Sequence, residues 1–291
     1  MQREFFTFDG MRLSYLEAGA QNARKLLIAH ANGYAAGCYE YLISALSDRY
    51  HVCALDFAGH GESESTLNFA DWNFFSRQLL ALGDHLRWQS FSAIGHSLGG
   101  GSLLRAAEAD CRRFEKLVVF DPVMLSFLMI LYVKLFGNPM AKVARTRRGV
   151  FSSKEQALKI FSRHPANRSW EREAVAAYVE YCIRQTEQGA ELCCAPAVEA
   201  QIFSQTEFAH LFRLGRIGCE THIVLPPKSN VCANWVARKI VRQNSQSALH
   251  RIADSGHLLP WCRRRSSPGL PWCVSRDEVV RSTGELPAAP R

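Results

Sequence analysis

Gly95-His96-Ser97-Leu98-Gly99-Gly100 is the stretch whose reading decides the fold. It follows a short apolar run, Phe91 to Ile94, and leads into Leu103, Leu104, Ala106 and Ala107. A strand, a tight glycine turn and a helix is the context that a G-x-S-x-G nucleophile elbow requires. The turn lifts the Ser97 hydroxyl clear of the sheet. Gly95 and Gly99 lack a Cβ, so strand and helix can approach closely there. A helix beginning at Leu98 aims its unpaired N–H groups and positive dipole end at whatever Ser97 attacks.

Outward from this turn, the chain alternates strands and helices. Glu4 to Phe8 and Met11 to Glu17 read as strands joined at Asp9-Gly10, a two-residue hairpin turn. Lys25 to Ala29 is a buried strand running into His30-Ala31-Asn32-Gly33, with a helix around Tyr39 to Ser47. His51 to Phe57 is a strand closing on Gly59-His60-Gly61-Glu62-Ser63, and a helix over Ala70 to Arg87 leads to the nucleophile strand. Lys116 to Phe120 ends at Asp121-Pro122. This rhythm predicts an α/β fold with a mostly parallel central sheet and helices on both faces.

From Pro122 to about Arg216 the signals turn helical and no strand stands out. Ser152-Ser153-Lys154-Glu155 reads as a capping box, Ser169 as the cap of a helix running to Gln185, Pro196 as a first helical residue and Gly215 as a stop. Strand-like sequence resumes at Thr221 to Leu225 and Ala248 to Ala253. The expected organisation is a core of residues 1–121 and 216–260 with a helical cap, 122–215, inserted in it.

The 291 residues, 47% hydrophobic and 21% charged, suit a soluble globular protein. The longest apolar run, Val123 to Phe136, contains Lys134 and is too short to cross a bilayer. Met1 to Gly10 lacks the order of a signal peptide. Ten cysteines form no C-x-x-C pair, so neither a metal site nor a disulfide framework is expected, and reduced thiols suit a cytoplasmic enzyme. Much of the net charge of +8 comes from Lys134 to Arg172, where ten Lys/Arg face two acidic residues. A solvated basic face is favoured over contact with a membrane surface, and no nucleic-acid-binding motif accompanies the charge. The oligomeric state is left open.

Four motifs in order resemble the α/β-hydrolase family: His30-Ala31-Asn32-Gly33, Asp56-Phe57-Ala58-Gly59-His60-Gly61-Glu62-Ser63, Gly95-His96-Ser97-Leu98-Gly99-Gly100 and Gly256-His257-Leu258-Leu259-Pro260. The resemblance covers roughly residues 5 to 260. It implies Ser97 as nucleophile, His257 as base, and an oxyanion hole from the backbone N–H groups of Leu98 and Asn32. Ala31 stands where the family keeps a glycine. His60 and Ser63 are expected to shape a loop. The family most often places its acid after the strand Thr221 to Leu225, but that loop reads Pro226-Pro227-Lys228-Ser229-Asn230, without a carboxylate. Some members take the acid one strand earlier, which makes Asp121 the expected third residue.

A serine nucleophile argues against the aspartate-dependent dehalogenases and epoxide hydrolases of the family. The implied activity is hydrolysis of a small, largely apolar carboxylic ester, thioester or lactone, with no cofactor and no metal. The alternatives are a non-catalytic binding protein of this fold and a carbon–carbon hydrolase or perhydrolase. Beyond Pro260 the resemblance stops. Residues 261–291 carry proline at 268, 271, 287 and 290 and repeat Pro260-Trp261-Cys262 as Pro271-Trp272-Cys273. The expectation there is a shifted reading frame and a largely disordered tail.

Overall fold

Period-two alternation of apolar side chains sets the two faces of the central sheet. A computed structural model of the protein describes residues 1–164, 167, 170, 172–253 and 255–257. Its first strands, β1 (Gln2–Phe8) and β2 (Met11–Ala18), are antiparallel, with Asp9 (φ 47°) and Gly10 (φ 80°) forming the expected turn. β3 (Lys25–Ala29) is followed by a 3₁₀ turn (Ala36–Tyr39), α1 (Glu40–Leu46) and β4 (His51–Leu55). Next come α2 (Asn73–His85), β5 (Phe91–His96), α3 (Leu98–Ala109) and β6 (Phe114–Phe120).

An insertion follows. It contains α4 (Phe127–Phe136), α5 (Pro139–Thr146), β7 (Val150–Phe151), α6 (Lys154–Arg163), α7 (Arg172–Cys182), β8 (Ile183–Thr186), β9 (Gly189–Leu192), α8 (Pro196–Ser204) and α9 (Ala209–Arg213). The chain returns to the sheet with β10 (Glu220–Leu225), α10 (Asn234–Val241) and β11 (Ala248–Arg251). Among the described residues the main sheet runs β1-β2-β4-β3-β5-β6-β10-β11. From β4 to β11 every neighbouring pair is parallel.

Leu27, Ala29, Cys53, Leu55, Ala93, Leu117, Val119 and Ile223 pack in one core with α2, α3 and α10. Their neighbours Leu26, Ile28, Val52, Ala54, Ile94, Val118 and Val224 pack in the other, with α1 and α7. The inner parallel strands β3, β4, β5, β6 and β10 are thus largely buried on both sides, and β5, which leads into Ser97, lies inside the sheet, between β3 and β6.

The insertion is not all helical, which corrects the sequence reading. β7, β9 and β8 form a small antiparallel sheet. Helix α7 ends at Cys182 rather than Gln185, and the chain turns through Glu187-Gln188 into Gly189 (φ 136°). A side chain at Gly189 would fall on the Phe151 carbonyl of β7, so the close strand approach depends on glycine. These strands are two to four residues long, and β7 and β8 are partly exposed, which left little periodicity to read. The capping box is also displaced by one residue. Ser153 accepts from the Gln156 N–H, while Gln156 Oε1 accepts from the Ser152 N–H. Pro196 does open α8, whereas Gly215 lies within a 3₁₀ turn, Leu214–Arg216. The calls on Ser169 and on the segment beyond His257 fall outside the described residues.

Candidate active site

Ser97 is the hinge between β5 and α3, at φ 53° and ψ −111°. A non-glycine residue occupies this region only when its surroundings enforce it. Three bonds do so: the Ser97 N–H donates to the Phe120 carbonyl of β6, and the Ser97 carbonyl accepts from the N–H groups of Gly101 and Val123. Glycine on either side permits the packing. A Cβ on Gly95 would lie 2.7 Å from Gly100 N, and one on Gly99 would fall on the Ala29 carbonyl. The Gly99 N–H instead donates to the His30 carbonyl, at 3.0 Å.

Asp121 is the next residue after β6 and also has a positive φ, 38°. Its N–H is held by the Val224 carbonyl of β10, and the residue is 1% exposed. The structure brings Ser97, His257 and Asp121 into one line. Ser97 Oγ lies 2.9 Å from His257 Nε2, and His257 Nδ1 lies 2.7 Å from Asp121 Oδ2. With Nδ1–H donating to the carboxylate, Nε2 is left to accept from the Ser97 hydroxyl. Asn230, on the loop after β10, is exposed, and among the described residues no hydrogen bond joins it to His257. Cys232 of the same loop is buried near Asp121, and burial with that carboxylate pushes its thiol up to about 12.

The loop after β3 faces the same turn. Among the described residues the backbone N–H groups of Asn32 and Leu98 have no hydrogen-bond partner, and Leu98 opens α3, where such donors are intrinsically unpaired. The loop's shape is fixed by buried histidines. His60 Nε2 accepts from the Gly33 N–H at 3.0 Å while Nδ1–H donates to the Ala58 carbonyl. His30 Nε2 accepts from the Phe57 N–H. Burial pushes His30 down to about 4 and His60 to about 3, so both are neutral and each ring carries one proton. Ser63 links the Asp56 carbonyl to the Ser14 N–H, and Asp56 accepts from Ser14, Arg3 and the Ala36 N–H. These residues shape the loop, as expected.

His96 carries a role that the sequence reading did not assign. Its Nε2–H donates to the His257 backbone carbonyl at 2.8 Å. Its Nδ1 accepts from the Tyr39 hydroxyl at 3.0 Å, and that hydroxyl accepts from the Ala31 N–H. Burial, with His257 beside it, lowers His96 to about 3, so it is neutral. One ring therefore ties the His257 loop to the Asn32 loop. The insertion reaches this loop as well. Asn32 Nδ2 donates to the Glu199 carbonyl of α8, and Arg147 bridges Glu199 and Tyr178. A polar residue next to Ser97 was the only sequence signal for His96; Arg147 and Glu199 offered none.

Elsewhere, Glu17, His51 and Cys53 present ligand atoms within 4.8 Å of one another. Their spacing across β2 and β4 is a strand-pairing feature that no sequence motif announces. The His51 ring is hydrogen-bonded to Glu17 at 2.5 Å, and burial drives the Cys53 thiol well up, which opposes the thiolate a metal needs.

A family model described as the alpha/beta hydrolase fold matches residues 26–262. The chain belongs to the alpha/beta-hydrolase family. It is 35% identical over 98 residues to the dihydrolipoyllysine-residue acetyltransferase component of an acetoin cleaving system of Pseudomonas putida, covering 34% of this chain and 26% of that one. It is 28% identical over 115 residues to the uncharacterized hydrolase YugF of Bacillus subtilis (39% and 42%). A non-heme chloroperoxidase of Streptomyces lividans is 29% identical over 119 residues (40% and 43%). The matches thus span well under half the length of these relatives. Among solved structures, E-2-(acetamidomethylene)succinate hydrolase superposes with a TM-score of 0.71 at 16% identity, covering 89% of this chain and 93% of that one. A thioesterase domain from the curacin biosynthetic pathway gives 0.68 at 18% identity (88% and 93%).

Proposed function

We propose that this protein is a serine hydrolase that cleaves a small, largely apolar carboxylic ester, thioester or lactone through an acyl-enzyme intermediate. The observation that carries the reading is the unbroken line from Ser97 Oγ through His257 to Asp121, at 2.9 and 2.7 Å. As Ser97 Oγ attacks the carbonyl carbon, its proton passes to His257 Nε2. The buried Asp121 carboxylate stabilises the imidazolium and fixes the tautomer. The N–H groups of Leu98 and Asn32 receive the developing oxyanion. His257 then protonates the leaving group, and a water activated by the same imidazole releases the acid.

In this reading residues 1–121 and 216–260 form the catalytic core and 122–215 a cap over it. Two readings compete: a fold kept for binding alone, and carbon–carbon hydrolysis or perhydrolysis at the same serine. The first is separated from hydrolysis by whether Ser97 is nucleophilic. Wild-type protein is expected to label with a fluorophosphonate probe and to hydrolyse p-nitrophenyl acetate. Ser97→Ala is expected to lose both and to keep its thermal transition, because the residue is small and sits at a turn. Wild-type labelling in Ser97→Ala would remove the assignment.

A further inference from the structure

The described surface carries an apolar face that folding leaves uncovered. On α4 only Ile130 is buried, while Leu128, Tyr132, Leu135 and Phe136 lie on one side of the helix and are 52–74% exposed. The face continues over a 51° bend onto α5, where Met140 and Val143 are more than half exposed. Contiguous apolar exposure on this scale marks an interaction site. Its charge is one-sided as well. No Asp or Glu occurs from Pro122 to Lys154, whereas Lys142 and Arg145 are exposed on α5 beside Met140 and Val143.

We propose that α4 and α5 dock this protein on an anionic lipid bilayer. Neither helix can cross one. α4 has ten residues and spans about 15 Å, half of a hydrocarbon core of roughly 30 Å. Among the described residues no single helix is long and apolar enough to span a membrane. The arrangement instead fits a face lying in the interface, with Leu128, Leu135, Phe136 and Met140 at the acyl boundary and Lys142 and Arg145 among headgroups. Charge selects this occupant over a second copy of the chain. Two such faces brought together would set the cations of α5 against each other, with no carboxylate from α4 or α5 to pair them. A short segment joins the face to the candidate site, since α4 begins six residues after Asp121.

The test is co-sedimentation of the full chain with vesicles of phosphatidylcholine alone or mixed with phosphatidylserine. Wild-type protein is expected to bind the mixed vesicles, to bind the neutral ones weakly, and to lose binding as salt rises. Leu135→Glu is expected to weaken binding about tenfold through lost insertion alone. Lys142→Gln with Arg145→Gln is expected to cost about fivefold per charge. All these positions are exposed, so unchanged circular dichroism is expected in each variant. Absence of wild-type binding to mixed vesicles would overturn the proposal, as would equal binding to neutral ones. A concentration-dependent dimer abolished by Leu135→Glu, without vesicle binding, would assign the face to self-association instead. The salt dependence of the wild type requires no variant to fold, and none of these outcomes depends on Ser97.

Discussion

Asp121→Asn tests the least expected member of the candidate triad. The carboxylate is 1% exposed and meets His257 Nδ1 at 2.7 Å, so the substitution changes charge with almost no change in shape. At that separation and an effective dielectric of about 20, an imidazolium and a carboxylate attract by roughly 6 kcal/mol. Loss of about 10⁴ in turnover, the effect of the corresponding change in a serine protease, corresponds to roughly 5.4 kcal/mol. The two figures agree, but the His257 side chain is 40% exposed and solvent screens part of the attraction. The expected fall in kcat is therefore roughly a hundred- to ten-thousand-fold. If the amide nitrogen turns towards His257, the imidazole proton moves to Nε2, which can then no longer accept from Ser97. KM for p-nitrophenyl acetate should change little, and the unfolding midpoint should hold or rise, because one buried carboxylate oxygen has no partner among the described residues. Asn230→Ala should leave kcat within a factor of about two. A wild-type rate in Asp121→Asn, or a larger loss in Asn230→Ala, would refute the reasoning.

Two further outcomes concern stability. Buried neutral histidines make the fold acid-sensitive: His30, His60 and His96 protonate at about 4, 3 and 3, against about 6.5 in the unfolded chain. The unfolded state takes up protons first as pH falls. Their stabilisation is thus complete above about 6.5 and is lost progressively down to about 3–4, at up to about 1.4 kcal/mol per pH unit for each ring. Urea unfolding at pH 7.5 and 5.5 should differ by up to roughly 4 kcal/mol, and an unchanged midpoint would contradict the burial argument. Gly99→Ala places a methyl on the Ala29 carbonyl, a backbone atom that cannot rotate away. It should cost about 1–3 kcal/mol in urea unfolding and also lower turnover, because α3 must shift with Leu98; a silent substitution would show that the helix–strand contact has slack.

What was legible in the sequence followed from strong local constraints. A buried parallel strand needs a continuous apolar run, and β3 to β6 each supply one. Ser97 needs glycine two residues away on either side, and that spacing survives in any context. Asp121 was legible only through the family resemblance, which offers a position one strand earlier when the loop after β10 holds no carboxylate. The small sheet of β7, β8 and β9 was not legible, because strands this short are stabilised by partners distant in sequence. The same holds for Arg147 and Glu199, which lie 52 residues apart and meet only when α5 and α8 pack. The exposed face of α4 was read as a run of apolar residues, and its failure to be buried is a tertiary fact.

His96, next to Ser97, is connected to both sides of the candidate site. Its ring spans Tyr39 and the His257 carbonyl, so the His257 loop and the Asn32 loop share one support. His96→Phe fills the same space but removes both bonds, leaving the Tyr39 hydroxyl proton without this acceptor. A buried hydroxyl deprived of its acceptor costs about 1–3 kcal/mol of stability. That loss alone would identify only a structural residue, so the informative readout is kinetic. If His96 holds His257 in register with Ser97, His96→Phe should lower kcat and the rate of fluorophosphonate labelling together, by up to about tenfold, the worth of one hydrogen bond. KM should stay near wild type, because no substrate contact is removed. His96→Gln retains a donor and an acceptor on one planar group and should recover part of the lost rate. A His96→Phe protein that is destabilised yet labels at the wild-type rate would confine His96 to packing, leaving Asp121 and Ser97, among the described residues, to position the His257 ring.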